Sequence, residues 1–276
     1  MKEKRILTLQ DYSAMGRCSL TVALPIISAC GIEAVGLPTA ILSNHTQFKS
    51  WTYVDLTQEI LPTIDKWADY NHHFDAIYTG YLGDSQIEPV IEVFKRLKEE
   101  STFVLVDPAF AAYGKMYPGF GYQHVELMRK LIAHADIVRP NITEACFLTG
   151  RRFVSNEADE EEIRSLIADL KKLGPSKVVL SGIHFPSNSI GCAFTNEDGS
   201  ISTYSTECLP YTCHGTGDVF ASVLTSKLVL GYQMKDAVKA AHDFVHAAMI
   251  QTEKDGQKDM LTYGVDFEPC LGLLTK

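Results

Sequence analysis

Short apolar runs rich in β-branched residues alternate with stretches of helical periodicity along the whole sequence. Strand-like runs occupy residues 5–10, 33–42, 74–82, 102–108, 135–140 and 177–182, and helical patterns fall at about 19–30, 54–70, 88–100, 127–134 and 160–173. Strands separated by helices of this length predict βαβ units and therefore a mostly parallel sheet. The run TFVLV at 102–106 is almost continuously apolar, as suits a strand covered on both faces. Further on, 190–195 and 200–206 read as two strands joined by a turn at NEDG, an antiparallel addition. Two helices, about 216–230 and 235–251, are expected to finish the fold. No Pro/Gly/Ser-rich linker, repeat or low-complexity tract divides the 276 residues, which predicts one domain over 1–276.

Hydrophobic residues make up 46% and charged residues 21%, enough for a core and contrary to disorder. The net charge of −9 gives no electrostatic footprint for nucleic acid or an anionic membrane, so neither is expected as a partner. An anionic small ligand stays open, because backbone N–H groups and a metal ion bind phosphate without Lys or Arg. The seven cysteines are scattered, with no C-x-x-C pair, and an odd number cannot pair completely. A reducing, cytoplasmic setting is the expectation. The N-terminus lacks the apolar run of a signal peptide, and no apolar stretch reaches transmembrane length.

Ligands of open α/β sheets bind beyond the carboxyl ends of the strands. The most informative segment there is CHGTGDVFASVLTSKL, beginning at Cys213. Gly215, Thr216 and Gly217 precede a helical pattern, and the first turn of a helix leaves N–H donors without intrahelical partners. With the helix dipole they form an anion site suited to a transferring phosphoryl group. The plain alternative is a tight turn with Asp218 complementing the dipole. A P-loop string is absent, and G-x-G-x-x-G fails at Phe220.

Together with SNHT at 43–46, TGYLG at 79–83, VDP at 106–108 and PNITE at 140–144, in that order, GTGD resembles the ribokinase-like kinases. Among them the set is most similar to the pyridoxal kinases. The resemblance implies a three-layer αβα sandwich around a mostly parallel sheet, with ATP and Mg²⁺ as cofactors. It also implies phosphorylation of the 5'-hydroxymethyl group of pyridoxal, pyridoxine or pyridoxamine, and a homodimer. Asp218 becomes the base, and Gly215, Thr216 and Gly217 the anion hole. At a helix N-terminus the Asp218 pKa is expected to be low.

By the same resemblance, Asn141 and Glu144 form an N-x-x-E metal element, although they also fit the N-cap and N3 of a capping box. Asp107 is a second acidic candidate for the metal, with an Asp-Pro turn as its alternative. Ser181 takes a nucleotide-contacting position alongside Thr216, Gly217 and Asn141, and the helix around 242–251 is expected to cover the adenine. For the acceptor, the resemblance points to Asp11, Ser13, His45, Thr46 and Tyr81, with Tyr81 stacking on the ring.

The sequence departs from the better-known pyridoxal kinases at Gln10-Asp11-Tyr12, where many have Gln-Ser-His. A carboxylate at Asp11 could recognise a protonated pyridine or an amine. His214-GTG is also similar to the hydroxymethylpyrimidine kinases, but those usually follow it with Cys, and Asp218 favours vitamin B6. Sugar kinases of the same fold often add a β lid, for which no insert is evident. A non-catalytic pyridoxal binder would have no need of Asp218. The His242/His246 pair has zinc-like spacing without a third ligand, and Cys213 reads as a small core residue.

Overall fold

The computed structural model describes residues 3–70, 72–186, 188–256 and 259–275. Its strands are β1 (Arg5–Ser13), β2 (Glu33–Leu42), β3 (Tyr53–Asp55), β4 (Ala76–Thr79), β5 (Phe103–Val106) and β6 (Ala111–Ala112). They continue as β7 (Lys115–Met116), β8 (Ile137–Val138), β9 (Lys177–Phe185), β10 (Ser189–Thr195) and β11 (Ile201–Glu207). The helices are α1 (Leu20–Ala29), α2 (Thr57–Trp67), α3 (Ile87–Leu97), α4 (Tyr122–Ile132) and α5 (Ile142–Thr149). Then come α6 (Glu160–Lys171), α7 (Thr216–Val229), α8 (Met234–Lys254) and the short α9 (Met260–Tyr263).

A nine-stranded sheet runs in the order β11-β10-β9-β8-β5-β4-β1-β2-β3. From β2 to β9 neighbouring strands are parallel, and β3, β10 and β11 are antiparallel additions. Alternate side chains sort the core into two halves, because successive Cβ atoms point to opposite faces. Leu7, Leu9, Ile77, Val104, Val106, Val178 and Leu180 pack with α2 to α6. Ile6, Ala76, Tyr78, Leu105, Ile137 and Val179 pack with α1, α7 and α8. Both faces of the parallel strands are thereby covered, which is why these runs are apolar without a polar side. The result is the expected three-layer αβα arrangement.

The helices follow from their own patterns. In α6, Ile163, Leu166, Ile167 and Leu170 form one buried stripe, and Asp159 caps the helix by accepting from the Glu162 N–H at 2.8 Å. Full burial of each such side chain stabilises by roughly 1.5–3 kcal/mol. By contrast, α7 is buried on nearly every side between α1, α8 and the sheet. It tolerates hydroxyls there because Ser222, Thr225 and Ser226 each return a hydrogen bond to the carbonyl four residues earlier.

The structure corrects two expectations and adds one element not expected from the sequence. Residues 53–55 form the edge strand β3 rather than helix, and α2 begins only at Thr57, where Asp55 Oδ1 accepts from the Thr57 amide at 2.8 Å. A small β6–β7 hairpin follows β5. Nor do α7 and α8 finish the fold: the chain returns through α9 beneath the GTGD turn. There His214 N–H donates to Met260 O at 3.1 Å and Val265 N–H to His214 O at 3.0 Å. Among the described residues no helix is long and apolar enough to cross a membrane.

Candidate active site

The strand ends bring most of the expected residues to one edge of the sheet. Asp11 and Ser13 come from β1, Tyr81 follows β4, Asp107 follows β5, Arg139 and Asn141 follow β8, and Ser181 lies on β9. The N-terminus of α7 closes on them, and Gly215, Thr216, Gly217 and Asp218 all retain solvent-exposed surface.

Gly215 adopts φ 80° and ψ −2°, and a Cβ there would be driven into the Arg17 carbonyl oxygen, so the turn requires glycine. Arg17 is itself fixed by ion pairs to Asp266 at 3.0 Å and Glu268 at 2.8 Å. A Cβ on Gly217 would lie 3.1 Å from Arg139 Nη2, so a guanidinium stands beside the turn. First-turn amides with a cation behind them can receive negative charge.

Asp218 overturns one expectation. Burial pushes its pKa up to about 7, with the charges of Asp107 and Asp11 adding to the rise. The Ser19 N–H, which donates to Asp218 Oδ2 at 2.9 Å, and Arg139 oppose it. A helix dipole favours the anion locally, but desolvation and two neighbouring carboxylates outweigh it. A carboxylate that ionises near neutrality is a stronger base than an ordinary one.

Arg139 Nε donates to Asp107 Oδ2 at 3.1 Å, Nη2 bonds the same oxygen, and Nη1 donates to Ser181 Oγ at 3.2 Å. Burial works against the guanidinium charge, but Asp107 and Glu144 more than offset it and move the Arg139 pKa up. Burial likewise leaves Asp107 above its ordinary range despite Arg139. Asn141 and Glu144 form the capping box in full: Asn141 Oδ1 accepts from Glu144 N–H at 3.0 Å, and Glu144 Oε2 from Asn141 N–H at 2.9 Å. Glu144 Oε1 also accepts from the Phe110 and Ala111 amides, and burial followed by the Asp107 charge raises its pKa to about 7.

Of these three metal candidates, only Asp107 has a buried oxygen, Oδ1, without a partner among the described residues. An orphaned carboxylate oxygen suits a hard cation. The committed oxygens of Asn141 and Glu144 fit one better through its water shell.

On the acceptor side, Asp11 is buried with both oxygens engaged, by Ser13 Oγ at 2.7 Å and Ser19 Oγ at 2.5 Å, and burial raises its pKa. Tyr81 is partly exposed and lies 5.3 Å from Phe120, which stacks at 3.8 Å on His124. His45 is buried and stacks at 4.1 Å on His214, and Thr46 beside it is partly exposed. Burial, with His45 alongside, lowers the His214 pKa to about 4. Cys213 is a buried thiol whose pKa rises to about 11. On α8, His242 contacts Tyr204 at 5.6 Å and Phe220 at 6.4 Å.

Sequence reasoning missed Ser19 and Arg139. A serine before a helix reads as a cap, and an arginine before Pro-Asn carries no motif. Only the fold reveals that one touches Asp218 and the other flanks Gly217.

The family pattern of the phosphomethylpyrimidine kinases matches residues 24–262. A Bacteroides thetaiotaomicron protein, provisionally named a phosphomethylpyrimidine kinase and crystallised with pyridoxal, is 33% identical, with a TM-score of 0.93 over 100% of this chain and 96% of its own. The pyridoxal kinase of Lactobacillus plantarum is 28% identical, with a TM-score of 0.90 over 98% and 96% of the two chains. A hydroxymethylpyrimidine/phosphomethylpyrimidine kinase of Haemophilus influenzae is 29% identical, covering 92% and 94%.

Proposed function

This chain belongs to the phosphomethylpyrimidine kinase family and is a kinase, and from that premise we propose that it transfers the γ-phosphoryl group of ATP to the 5'-hydroxymethyl group of a B6 vitamer. The carrying observation is Asp218: a carboxylate that ionises near neutrality, held at the start of α7, a helix whose N-cap, Gly215, supplies no side-chain cap to the first-turn amides.

In this reading the acceptor hydroxyl lies against Asp218, which takes its proton as the phosphoryl group migrates. The transition state is loose, so the base need act only late, and positioning contributes more than base strength. The amides of the 215–217 turn, with Arg139 behind Gly217, meet the charge that develops on the phosphoryl oxygens. Mg²⁺ would be held from Asp107 directly and from Asn141 and Glu144 through water, neutralising phosphate charge. Ser181, Thr216, Gly217 and Asn141 face the nucleotide. Tyr81 supplies a ring face for the acceptor, with Ser13, His45, Thr46 and Asp11 around it.

Pyridoxal is favoured by the two similar solved proteins, one bound to pyridoxal and one named for phosphorylating it. A hydroxymethylpyrimidine acceptor is the second reading, supported by the Haemophilus influenzae relative. The unbroken nine-stranded sheet supports one domain over 1–276. The exposed β3 edge, with Tyr53 and Val54, supports the homodimer, which light scattering tests.

The deciding experiment is mass-spectrometric product formation with Mg-ATP across pyridoxal, pyridoxine, pyridoxamine and hydroxymethylpyrimidine. A phosphorylated vitamer at the highest kcat/KM is expected. Preference for the pyrimidine would transfer the assignment, and no product from any acceptor would end it.

A further inference from the structure

We infer that Ser19, anchored by Asp11, is a positioning residue that holds the carboxylate of Asp218 for proton transfer. This role rests on the functional reading above.

Ser19 is the residue before α1, a place where a serine ordinarily caps the helix with its side chain. Here it does not. Its hydroxyl makes no cap bond, whereas Asn141, Asp159 and Asp259 do cap their helices. Instead the hydroxyl donates to Asp11 Oδ1 at 2.5 Å. The Ser19 backbone also stands at φ 51° and ψ −132°, a conformation that a residue with a Cβ rarely adopts.

Both costs serve one geometry: they aim the Ser19 N–H at Asp218 Oδ2, 2.9 Å away. Asp11 is pinned from its other side by Ser13 Oγ at 2.7 Å. Ser13, Asp11 and Ser19 are at most 4% exposed, so water cannot replace these bonds cheaply. Strain that persists only because its surroundings enforce it points to function. The end of β1 is thereby connected to the first turn of α7 by a chain of hydrogen bonds ending on the base.

Two variants separate this role from simple stitching of the loop. Ser19→Ala removes the anchor, so the strained backbone relaxes and its amide leaves Asp218. The expected result is a loss of about a hundredfold in kcat, the scale of a small misplacement of a reacting group, with KM for ATP unchanged. The acid limb of the kcat profile moves to higher pH, because Asp218 has lost a donor that favoured its anion. Asp11→Asn keeps an oxygen for the Ser19 hydroxyl but removes a charge. It is expected to lose less kcat and to move the limb to lower pH.

The other groups that interact electrostatically with Asp218 are Asp107, Arg139, Tyr78, Tyr117 and Cys18, which both variants leave in place. The same opposite displacements are read without turnover from the ¹³C titration of the Asp218 carboxyl, assigned with Asp218→Asn. If the wild-type protein phosphorylates no acceptor, the functional reading fails and this titration alone decides. An unmoved titration in both variants, or a moved titration with kcat and its acid limb unchanged in an active enzyme, overturns the inference. Should Ser19→Ala not fold, Asp11→Asn decides by the same criteria.

Discussion

Replacing Asp218 by asparagine should make the protein harder to unfold while removing the proposed base. The native carboxyl holds its proton up to a pH of about 7, whereas its ordinary value is 3.8. Native Asp218 therefore binds more protons than the unfolded chain between those values, and its contribution to stability falls as pH rises through that window. A rise of about 3 at about 1.4 kcal/mol per unit gives a ceiling of about 4 kcal/mol at pH 8, against about 2 kcal/mol at pH 5. Because the residue is only half-buried, we take roughly half of this, a pH-dependent cost that changes by about 1–2 kcal/mol between the two. Asparagine keeps an oxygen for the Ser19 N–H and carries no charge. Urea unfolding of both proteins at pH 5 and pH 8 should show a stability gain for Asp218→Asn that is larger by that amount at pH 8. Turnover should fall by about 10²–10⁴-fold, as for loss of a general base. An equal difference at both pH values, or a variant less stable at pH 8, would refute the desolvated-base reasoning.

Three further outcomes are expected. Gly215→Ala, forced to keep φ 80° against the Arg17 carbonyl, should lose about 1–3 kcal/mol of stability by urea midpoint and most of its turnover. Asp107→Asn should cost about 3 kcal/mol by leaving Arg139 buried without its partner, and adding Arg139→Met should recover much of that in thermal unfolding. Tyr81→Ala should raise KM for the acceptor by about tenfold in steady-state kinetics, with KM for ATP unchanged.

What the sequence made legible was whatever local pattern dictates. The β2 boundaries, Glu33–Leu42, matched the expected run because a glycine turn and a polar loop bracket an apolar stretch. Asn141 and Glu144 were legible as a capping box because both partners lie within one turn. The edge strand β3 was not, since its three residues are all exposed and carry no burial pattern. The sign of the Asp218 displacement was misread because the dipole is a local property, whereas burial and the charges of Asp11 and Asp107 belong to the assembled site. Ser19 and Arg139 were invisible for the same reason: their partners lie 199 and 32 residues away.

Arg17 gives the site a place in the history of each molecule. Its carbonyl sets the space available to Gly215, while its guanidinium is tied to Asp266 and Glu268, which leave the ribosome after both Arg17 and Gly215. A nascent chain that has emerged only as far as α8 has its sheet and both helical layers but lacks the segment bracing this turn. Domains take shape from the N-terminal side during synthesis, so phosphate-binding competence should be acquired only once residues 266–268 have emerged, after the rest of this scaffold.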